Sequence, residues 1–256
     1  MGLEFPLTGF VVGLLVGFTG MGGALLMTPI LVFLFGISPT LAIGTDLVYA
    51  SITKLFGALQ HWRQRTIDFY AVKWLSMGSL PGALLGSGAV LLMRQQIDTH
   101  QLNSVVGKIL GVTYLLIVAV MVWRIYRGRS RREQISAVSQ PSRQKLIVLG
   151  LLGGCIVGMT SVGSGTLFMA FLTLIYPIAS AKLVGTDIVQ AVLVTGAAGL
   201  AHLSAGNVDM GLVAQLLVGS IPGILIGSRL TVRIPDAAVR TLLMVMLLWS
   251  GMKLLI

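Results

Sequence analysis

Apolar residues along the chain fall into eight long runs that are separated by short polar or basic segments. Six runs have about the 20 residues that an α-helix needs to cross a bilayer. The other two, 5–36 and 146–176, are longer, and glycine-rich stretches interrupt both near the middle. The pattern predicts an all-α integral membrane protein with several crossings. The six uninterrupted runs are 40–60, 69–93, 101–123, 183–203, 209–228 and 238–256.

The same unit occurs twice in the chain. Residues 17–87 correspond to residues 158–228 at a constant offset of 141, without a gap. We therefore predict an N-terminal repeat over 1–123, a linker over 124–145 and a C-terminal repeat over 146–256. Duplicated apolar units are typical of transporters, which bind their substrate between the two halves. The matched motifs are Gly17–Gly22 with Gly158–Gly163, Gly44-Thr45-Asp46 with Gly185-Thr186-Asp187, His61 and Asp68 with His202 and Asp209, and Gly78–Gly82 with Gly219–Gly223.

Composition supports a membrane location. Apolar residues make up 55% of the chain and charged residues 10%, whereas a soluble domain of 256 residues needs far more polar surface. The net charge of +10 does not indicate nucleic-acid binding, because basic residues concentrate in the 124–145 linker, as is typical of a cytoplasmic loop. The single cysteine, Cys155, excludes an intrachain disulfide. The N-terminus lacks a basic segment before its apolar run, so we expect no cleaved signal peptide.

Equivalent loops of the two repeats differ in basic charge. The loop 61–73 holds Arg63, Arg65 and Lys73, whereas its counterpart 202–214 holds no lysine or arginine. Basic loops mark the cytoplasmic side, so equivalent loops are expected on opposite sides of the membrane. The sequence therefore predicts two inverted repeats.

Inversion requires an odd number of crossings in each repeat of four apolar elements. One element of each repeat must then enter and leave by the same face. We predict that 5–36 and 146–176 form re-entrant or broken helical hairpins that meet near the midplane, with legs too short to cross alone. The alternative is one long kinked helix that crosses fully, which would make the repeats parallel.

The glycine-rich breaks are the strongest candidates for a binding site. The second leg of each hairpin begins there, and its first amides have no intrahelical partner while the helix dipole adds positive charge. Glycines let a ligand approach the backbone, and hydroxyls add donors, which suits a small oxyanion. The alternative is close helix packing by small residues. The candidate residues are Thr19, Gly20, Gly22, Gly23, Thr160, Ser161, Gly163, Ser164 and Gly165.

Three charged residues are expected inside the membrane. Asp46 and Asp187 would lie about two turns into their helices, where a carboxylate is costly unless it is paired or protonated. They are candidates for proton coupling, or for a structural hydrogen bond to backbone groups freed by the hairpin break, such as those beside Thr19 or Thr160. Lys54 is a candidate ligand of an anion. Pairing with Asp46 is poor, because the two residues lie about 12 Å apart along one helix, so the alternatives are that Lys54 snorkels or pairs with another helix. Gln190, equivalent to Tyr49, is a further neutral donor.

His61 and His202 end their helices. We expect them to cap helix C-termini or to take part in gating. A metal site is not expected, because the chain has three histidines and no clustered ligands, and no cofactor is predicted.

The duplicated motifs together resemble the TauE/SafE sulfite exporter family, which is grouped with toluene sulfonate uptake permeases, over about residues 8–250. His202 to Asp209 matches the family's His-x3-Gly-Asn-Val-Asp pattern, whereas the first copy has Arg65-Thr66-Ile67 in place of Gly-Asn-Val. The resemblance implies a multi-pass carrier in the bacterial inner membrane, with the linker 124–145 cytoplasmic.

Its expected substrate is sulfite, sulfoacetate or another organosulfonate, with protons and lipid as its other partners, and a homodimer is left open. Proton-coupled export by alternating access is expected. The alternatives are an anion channel, or an intramembrane hydrolase that uses Ser164 or Ser161 with His202. We expect no enzyme, since the serines do not lie in a Gly-x-Ser-Gly turn.

Overall fold

The structure is a computed structural model in which the described part of the chain is helical and contains no strand. It describes residues 3–19, 24–128, 141–165, 168–169, 172, 176, 180–230 and 236–256. The predicted all-α fold is confirmed for these residues. The helices are α1 (Glu4–Thr19), α2 (Ala24–Phe33), α3 (Pro39–Arg63), α4 (Phe69–Gln96), α5 (Thr99–Gly128), α6 (Arg143–Thr160), α7 (Ser180–Ser204), α8 (Met210–Leu230) and α9 (Asp236–Leu255).

Each of the six uninterrupted apolar runs coincides with one helix, from α3 to α5 and from α7 to α9. Both ends of the predicted linker are helical, since α5 continues to Gly128 and α6 begins at Arg143, and residues 129–140 lie outside the described part. The protein is membrane-embedded and multi-pass. Five helical segments in the described ranges are long and apolar enough to cross a bilayer: Phe69–Gln96, Thr99–Trp123, Arg143–Thr160, Lys182–Ser204 and Met210–Gly227.

The second interrupted run reverses its direction at the glycine-rich break. Ser161 and Gly163 have positive φ angles of 63° and 101°, which end α6 and turn the chain. After the turn, the ring of Phe168 lies 2.7 Å from the ideal Cβ position of Gly153. A straight helix would separate these two residues by about 22 Å, so the chain folds back along α6.

In each interrupted run, the first and last residues lie close to one another. In the first run, the rings of Phe5 and Phe35 lie 4.7 Å apart between centroids. In the second, the Tyr70 hydroxyl donates to the Pro141 carbonyl at 3.3 Å, and the Tyr176 hydroxyl donates to Asp68 Oδ2 at 2.6 Å. Both ends of 141–176 therefore lie at the start of α4.

The expectation that each leg is too short to cross does not hold for α6. This helix has 18 residues and meets the length and composition of a crossing helix, with a rise of about 27 Å. The corresponding helix α1 has 16 residues, and its break at residues 20–23 lies outside the described part.

Each repeat packs its first helix against the other repeat. Helix α6 lies along α4, and α1 lies along α8, in contacts that match residue for residue at the offset of 141. Glycines at every fourth position let the backbones touch, so an added Cβ would overlap a backbone atom of the facing helix. On α4 the pairs are Gly78 with Ile147, Gly82 with Leu151 and Gly86 with Cys155; on α8 they are Gly219 with Pro6, Gly223 with Phe10 and Gly227 with Leu14.

The equivalent helices α3 and α7 pack together in the centre and run antiparallel. Val48 lies near Gly199, whereas Ile188 lies near Gly57, with side-chain carbons 3.1 and 3.5 Å from the two ideal Cβ positions. Helices α5 and α9 also contact each other, and α2 packs on α3. The buried charged residues of this pair, Asp46, Lys54 and Asp187, consequently lie at the contact between the two repeats.

Candidate functional site

The Gly-Thr-Asp motif of each repeat docks on the turn that precedes α4 or α8 in the other repeat. The Asp209 amide donates to Thr45 Oγ1 at 3.1 Å, and the Asp68 amide donates to Thr186 Oγ1 at 2.9 Å. We call these two contacts the cross-repeat contacts. The sequence analysis assigned no role to either threonine, because each partner lies in the other repeat.

The glycines of the two Gly-Thr-Asp motifs, and the aspartate at the start of α4, also shape the cross-repeat contacts. An added Cβ on Gly44 would overlap the Asn207 carbonyl, and one on Gly185 would overlap the Thr66 carbonyl, so only glycine permits this approach. Asp68 begins α4 by accepting hydrogen bonds from the amides of Tyr70 and Ala71 at 3.0 and 3.2 Å. These residues therefore join the repeats at both ends of the α3–α7 pair.

Asp46 lies between the two interrupted runs and is fully buried. Its Oδ2 accepts hydrogen bonds from Thr28 Oγ1 at 2.5 Å and from Ser161 Oγ at 2.6 Å. Thr28 belongs to α2 of the first repeat, whereas Ser161 lies in the break of the second. Oδ1 has no partner among the residues that the structure describes. Asp46 thus reaches the end of α6, but the group that donates a hydrogen bond to it is the Ser161 hydroxyl and not a freed backbone amide near Thr160.

Thr28 is a site residue that the sequence analysis missed. It is a fully buried hydroxyl on an otherwise apolar leg. A polar side chain inside a membrane segment could have indicated it. The comparison of repeats hid this signal, because the equivalent residue is Met169.

Lys54 reaches from α3 to the break of the second repeat. Its Nζ donates to Ser164 Oγ at 2.5 Å, and the side chain is buried. The buried aspartates Asp46 on α3 and Asp187 on α7 share the contact between these two helices with Lys54. Of the predicted site residues, the structure thus brings together Lys54, Ser164, Asp46 and Ser161, with Gly163 and Gly165 in the same turn.

Two predicted site residues are engaged elsewhere. The Thr160 hydroxyl donates to the Ile156 carbonyl at 2.7 Å and completes the end of α6. Gln190 donates to Ser79 and accepts from Ser76 at 2.7 Å, which ties α7 to α4. At the equivalent contact, the hydroxyls of Tyr49 and Ser220 are neighbours without hydrogen-bond geometry.

The first half of the predicted oxyanion site stays a prediction. Gly20, Gly22 and Gly23 lie outside the described residues, and the side chain of Thr19, the last residue of α1, is likewise not described.

The two histidines make different contacts. His202 Nε2 donates to the Gly158 carbonyl at 3.0 Å, and this oxygen also accepts from Ser87 at 3.2 Å. His202 therefore satisfies a carbonyl in the last turn of α6 and does not cap its own helix. His61 Nδ1 lies 2.8 Å from Thr66 Oγ1, in the turn after α3. In the described contacts His202 makes no hydrogen bond to either serine of the break. The Ser161 hydroxyl donates to Asp46, and Ser164 Oγ accepts from Lys54.

The comparisons with known proteins identify the family. The family model described as sulfite exporter TauE/SafE matches residues 5–254, nearly the whole chain. The chain belongs to this family. The TauE/SafE family is one of membrane transporters and not a class of enzymes, so the protein is a membrane transporter.

Curated relatives support this assignment over most or all of their lengths. The chain is 42% identical over 258 residues to the probable membrane transporter protein YjnA of Bacillus subtilis (strain 168), and the alignment covers 100% of each of the two proteins. It is 25% identical to YdhB of the same organism, with 96% of this chain and 97% of the relative covered. It is 24% identical to MJ0441 of Methanocaldococcus jannaschii, with 89% and 84% covered. Both are likewise described as probable membrane transporter proteins, and no solved structure matches the chain.

Proposed function

We propose that this TauE/SafE family member is a secondary transporter for a small sulfur-containing oxyanion, namely sulfite, sulfoacetate or another organosulfonate. Proton-coupled export by alternating access is the proposed mechanism. The observation that carries the proposal is the buried contact of Lys54 with Ser164 at the break of the second repeat.

The chemistry around Lys54 suits an anion with several oxygens. A lysine ammonium offers three donors and a compact positive charge, and Ser164 adds a hydroxyl. Gly163 and Gly165 carry no side chain, so an oxyanion can approach the amides of the turn. A sulfonate or sulfite can accept hydrogen bonds from all of these groups at once.

Charge balance supports coupling to protons. An anion that enters this site meets two buried carboxylates and one buried ammonium. Protonation of a carboxylate lowers the repulsion, so anion and proton each favour the binding of the other. An anion that moves together with a proton leaves the cell whenever its own concentration gradient exceeds the opposing proton gradient. Asp46 and Asp187 are the proposed proton-coupling groups.

We also infer that the repeats are inverted, in a bacterial inner membrane with the linker 124–145 on the cytoplasmic side. Two observations support the inversion: α3 and α7 are equivalent yet antiparallel, and the ends of each interrupted run meet. A twofold axis that relates antiparallel helices lies across them, and therefore in the membrane plane if the helices cross it. The same two observations support the re-entrant hairpins.

Topology is tested with single cysteines at Arg63 and Ser204, which are equivalent and exposed. In a Cys155→Ser background, Arg63→Cys and Ser204→Cys should react with an impermeant maleimide from opposite sides of the membrane. Reaction of both from one side would contradict inversion, whatever the substrate is.

Transport is tested in proteoliposomes with a radiolabelled sulfonate. A sulfonate remains ionised at ordinary pH, so any effect of pH on its flux reports on the protein. We expect flux from the loaded side to rise when that side is made acidic, and Lys54→Met to weaken sulfonate binding and remove most of the flux. Protein-free vesicles are the control. Flux that is indifferent to pH would favour the anion channel, and wild-type binding by Lys54→Met would remove the ligand role of Lys54.

A further inference from the structure

The two buried aspartates occupy equivalent positions in different surroundings. Asp46 accepts hydrogen bonds from Thr28 and Ser161. The residues equivalent to these two donors are Met169 and Gly20, and neither carries a hydroxyl. The second repeat therefore cannot supply Asp187 with the same pair of donors.

The positive charge is also present in one repeat only. Residue 195, equivalent to Lys54, is a threonine whose hydroxyl donates to the Ala191 carbonyl at 2.7 Å. Because Ile188 packs on Gly57, Asp187 lies beside the part of α3 that directly follows Lys54. Asp46 lies eight residues before Lys54, about 12 Å away along the helix. This geometry favours Asp187, and not Asp46, as the charge partner of Lys54.

Among the described residues, Lys54 is the only positively charged group that acts on Asp46. The groups that act on it are Lys54 and Tyr49 from its own helix and Tyr114 from α5, with the hydroxyls of Thr28 and Ser161. The Lys54 ammonium donates to Ser164 instead of to Asp46. A buried carboxylate without an ion pair is costly, and a bound proton removes that cost. Oδ1, which has no partner among the described residues, is the oxygen available for the proton.

This inference rests on the proposed function. We propose that the aspartates divide their roles: Asp187 remains ionised as the charge partner of Lys54, whereas Asp46 carries the coupling proton on Oδ1. One proton then moves with each anion.

The position of Asp46 links its protonation to the conformation of the carrier. Thr28 belongs to the same repeat as Asp46, whereas Ser161 belongs to the other repeat. An ionised Asp46 accepts both hydroxyls and holds the two interrupted runs together. Protonation weakens the carboxylate as an acceptor, which favours separation of Ser161 from Asp46 when the repeats move.

Infrared spectroscopy of the purified protein in lipid nanodiscs tests this division without any substrate. The chain has only eight acidic residues, so the band of a buried protonated carboxyl group can be followed as pH changes. We expect this band in the wild type and its loss in Asp46→Asn. The double variant Lys54→Met with Asp187→Asn removes one charge of each sign and should retain the band.

The single variant Lys54→Met provides a further test, because it leaves Asp187 without its charge partner. A second protonated carboxyl band should then appear. A band that survives in Asp46→Asn and disappears in the double variant would reverse the two roles. Absence of a titrating band from both the wild type and the double variant would show that Asp46 carries no proton.

Flux measurements separate this inference from the proposed function. We expect Asp46→Asn to exchange sulfonate across the vesicle membrane while losing its response to an imposed pH gradient. A wild-type protein that moves no sulfonate would contradict the proposed substrate, yet the infrared bands would still decide the roles of the aspartates. An Asp46→Asn protein whose sulfonate flux keeps the full wild-type response to the pH gradient would overturn the division.

Discussion

The ends and the middle of the α3–α7 pair follow different rules. At the ends, both repeats make the same contact: a threonine hydroxyl accepts a hydrogen bond from the backbone amide of an aspartate in the other repeat. In the middle, the repeats differ, because Lys54 has Thr195 as its equivalent and Thr28 has Met169. The framework is duplicated, whereas the polar centre is not.

This difference separates two requirements of a carrier built from a duplicated unit. If the halves exchange conformations during transport, the contacts that join them must serve equally in either arrangement, which favours equivalent contacts at both ends. The proposed substrate, a sulfite or sulfonate, has no twofold axis. In the proposed mechanism, a single lysine and two unequal aspartates bind one anion and one proton in defined places.

The ends are not fully identical. Arg94 Nη1 donates to the Ala205 carbonyl at 2.5 Å and to Asn207 Oδ1 at 2.7 Å, and Arg94 follows the stretch 17–87 that is matched in the second repeat. Tyr176 donates to Asp68, and its equivalent is Phe35. Arg94 thus adds two bonds at one cross-repeat contact and Tyr176 adds one at the other, so we expect the two ends to open independently.

The largest effect is expected from the glycine contacts of the framework. An added Cβ at Gly13 would lie 2.7 Å from the Cα of Ser220, and one at Gly154 would lie 2.7 Å from the Cα of Ser79. Gly13→Ala and Gly154→Ala should each lower the free energy of unfolding by about 1–3 kcal/mol, because a helix backbone must move. Thermal unfolding of the purified protein in detergent measures the change.

Gly88 on α4 is the matched control, because its ideal Cβ position has no neighbour within 4 Å. Gly88→Ala should leave stability unchanged or raise it slightly, since alanine favours a helix. If one of the two glycine variants is as stable as the wild type, the packing of α1 on α8 is not equivalent to that of α6 on α4.

The arrangement of apolar and polar residues was sufficient to predict the helices, because every uninterrupted run had to form one in order to satisfy its backbone in lipid. The repeat also identified the breaks and the buried charges. It did not reveal what these residues contact. Gly44 packs against a turn about 160 residues away in the chain, and Thr45 accepts a hydrogen bond from the same turn. No local pattern specifies that partner.

The centre of the site differs between the repeats. The residues that both copies share, such as Gly-Thr-Asp, therefore do not indicate Thr28, whose equivalent is the apolar Met169. Ser164 and Lys54 were both predicted as site residues, but their contact across 110 positions could not be inferred from spacing. The roles of Thr19, Gly20, Gly22 and Gly23 stay a prediction.

A smaller and symmetric effect is expected at the cross-repeat contacts. Thr45→Val and Thr186→Val keep the shape of the side chain and each remove one acceptor of an amide hydrogen bond. Each should lower the free energy of unfolding by about 1 kcal/mol. Hydrogen exchange should quicken at the Asp209 amide in Thr45→Val and at the Asp68 amide in Thr186→Val, with the opposite turn unaffected.

The control for these variants is Thr113→Val, because the Thr113 hydroxyl donates only to the Ile109 carbonyl of its own helix in the described contacts. Its loss leaves no amide without an acceptor, so stability should hardly change. If either cross-repeat variant quickens exchange at both turns, the two ends open together and the additional bonds of Arg94 and Tyr176 do not make them independent. If neither variant alters exchange, the threonines do not join the repeats, and glycine packing alone holds the framework at its ends.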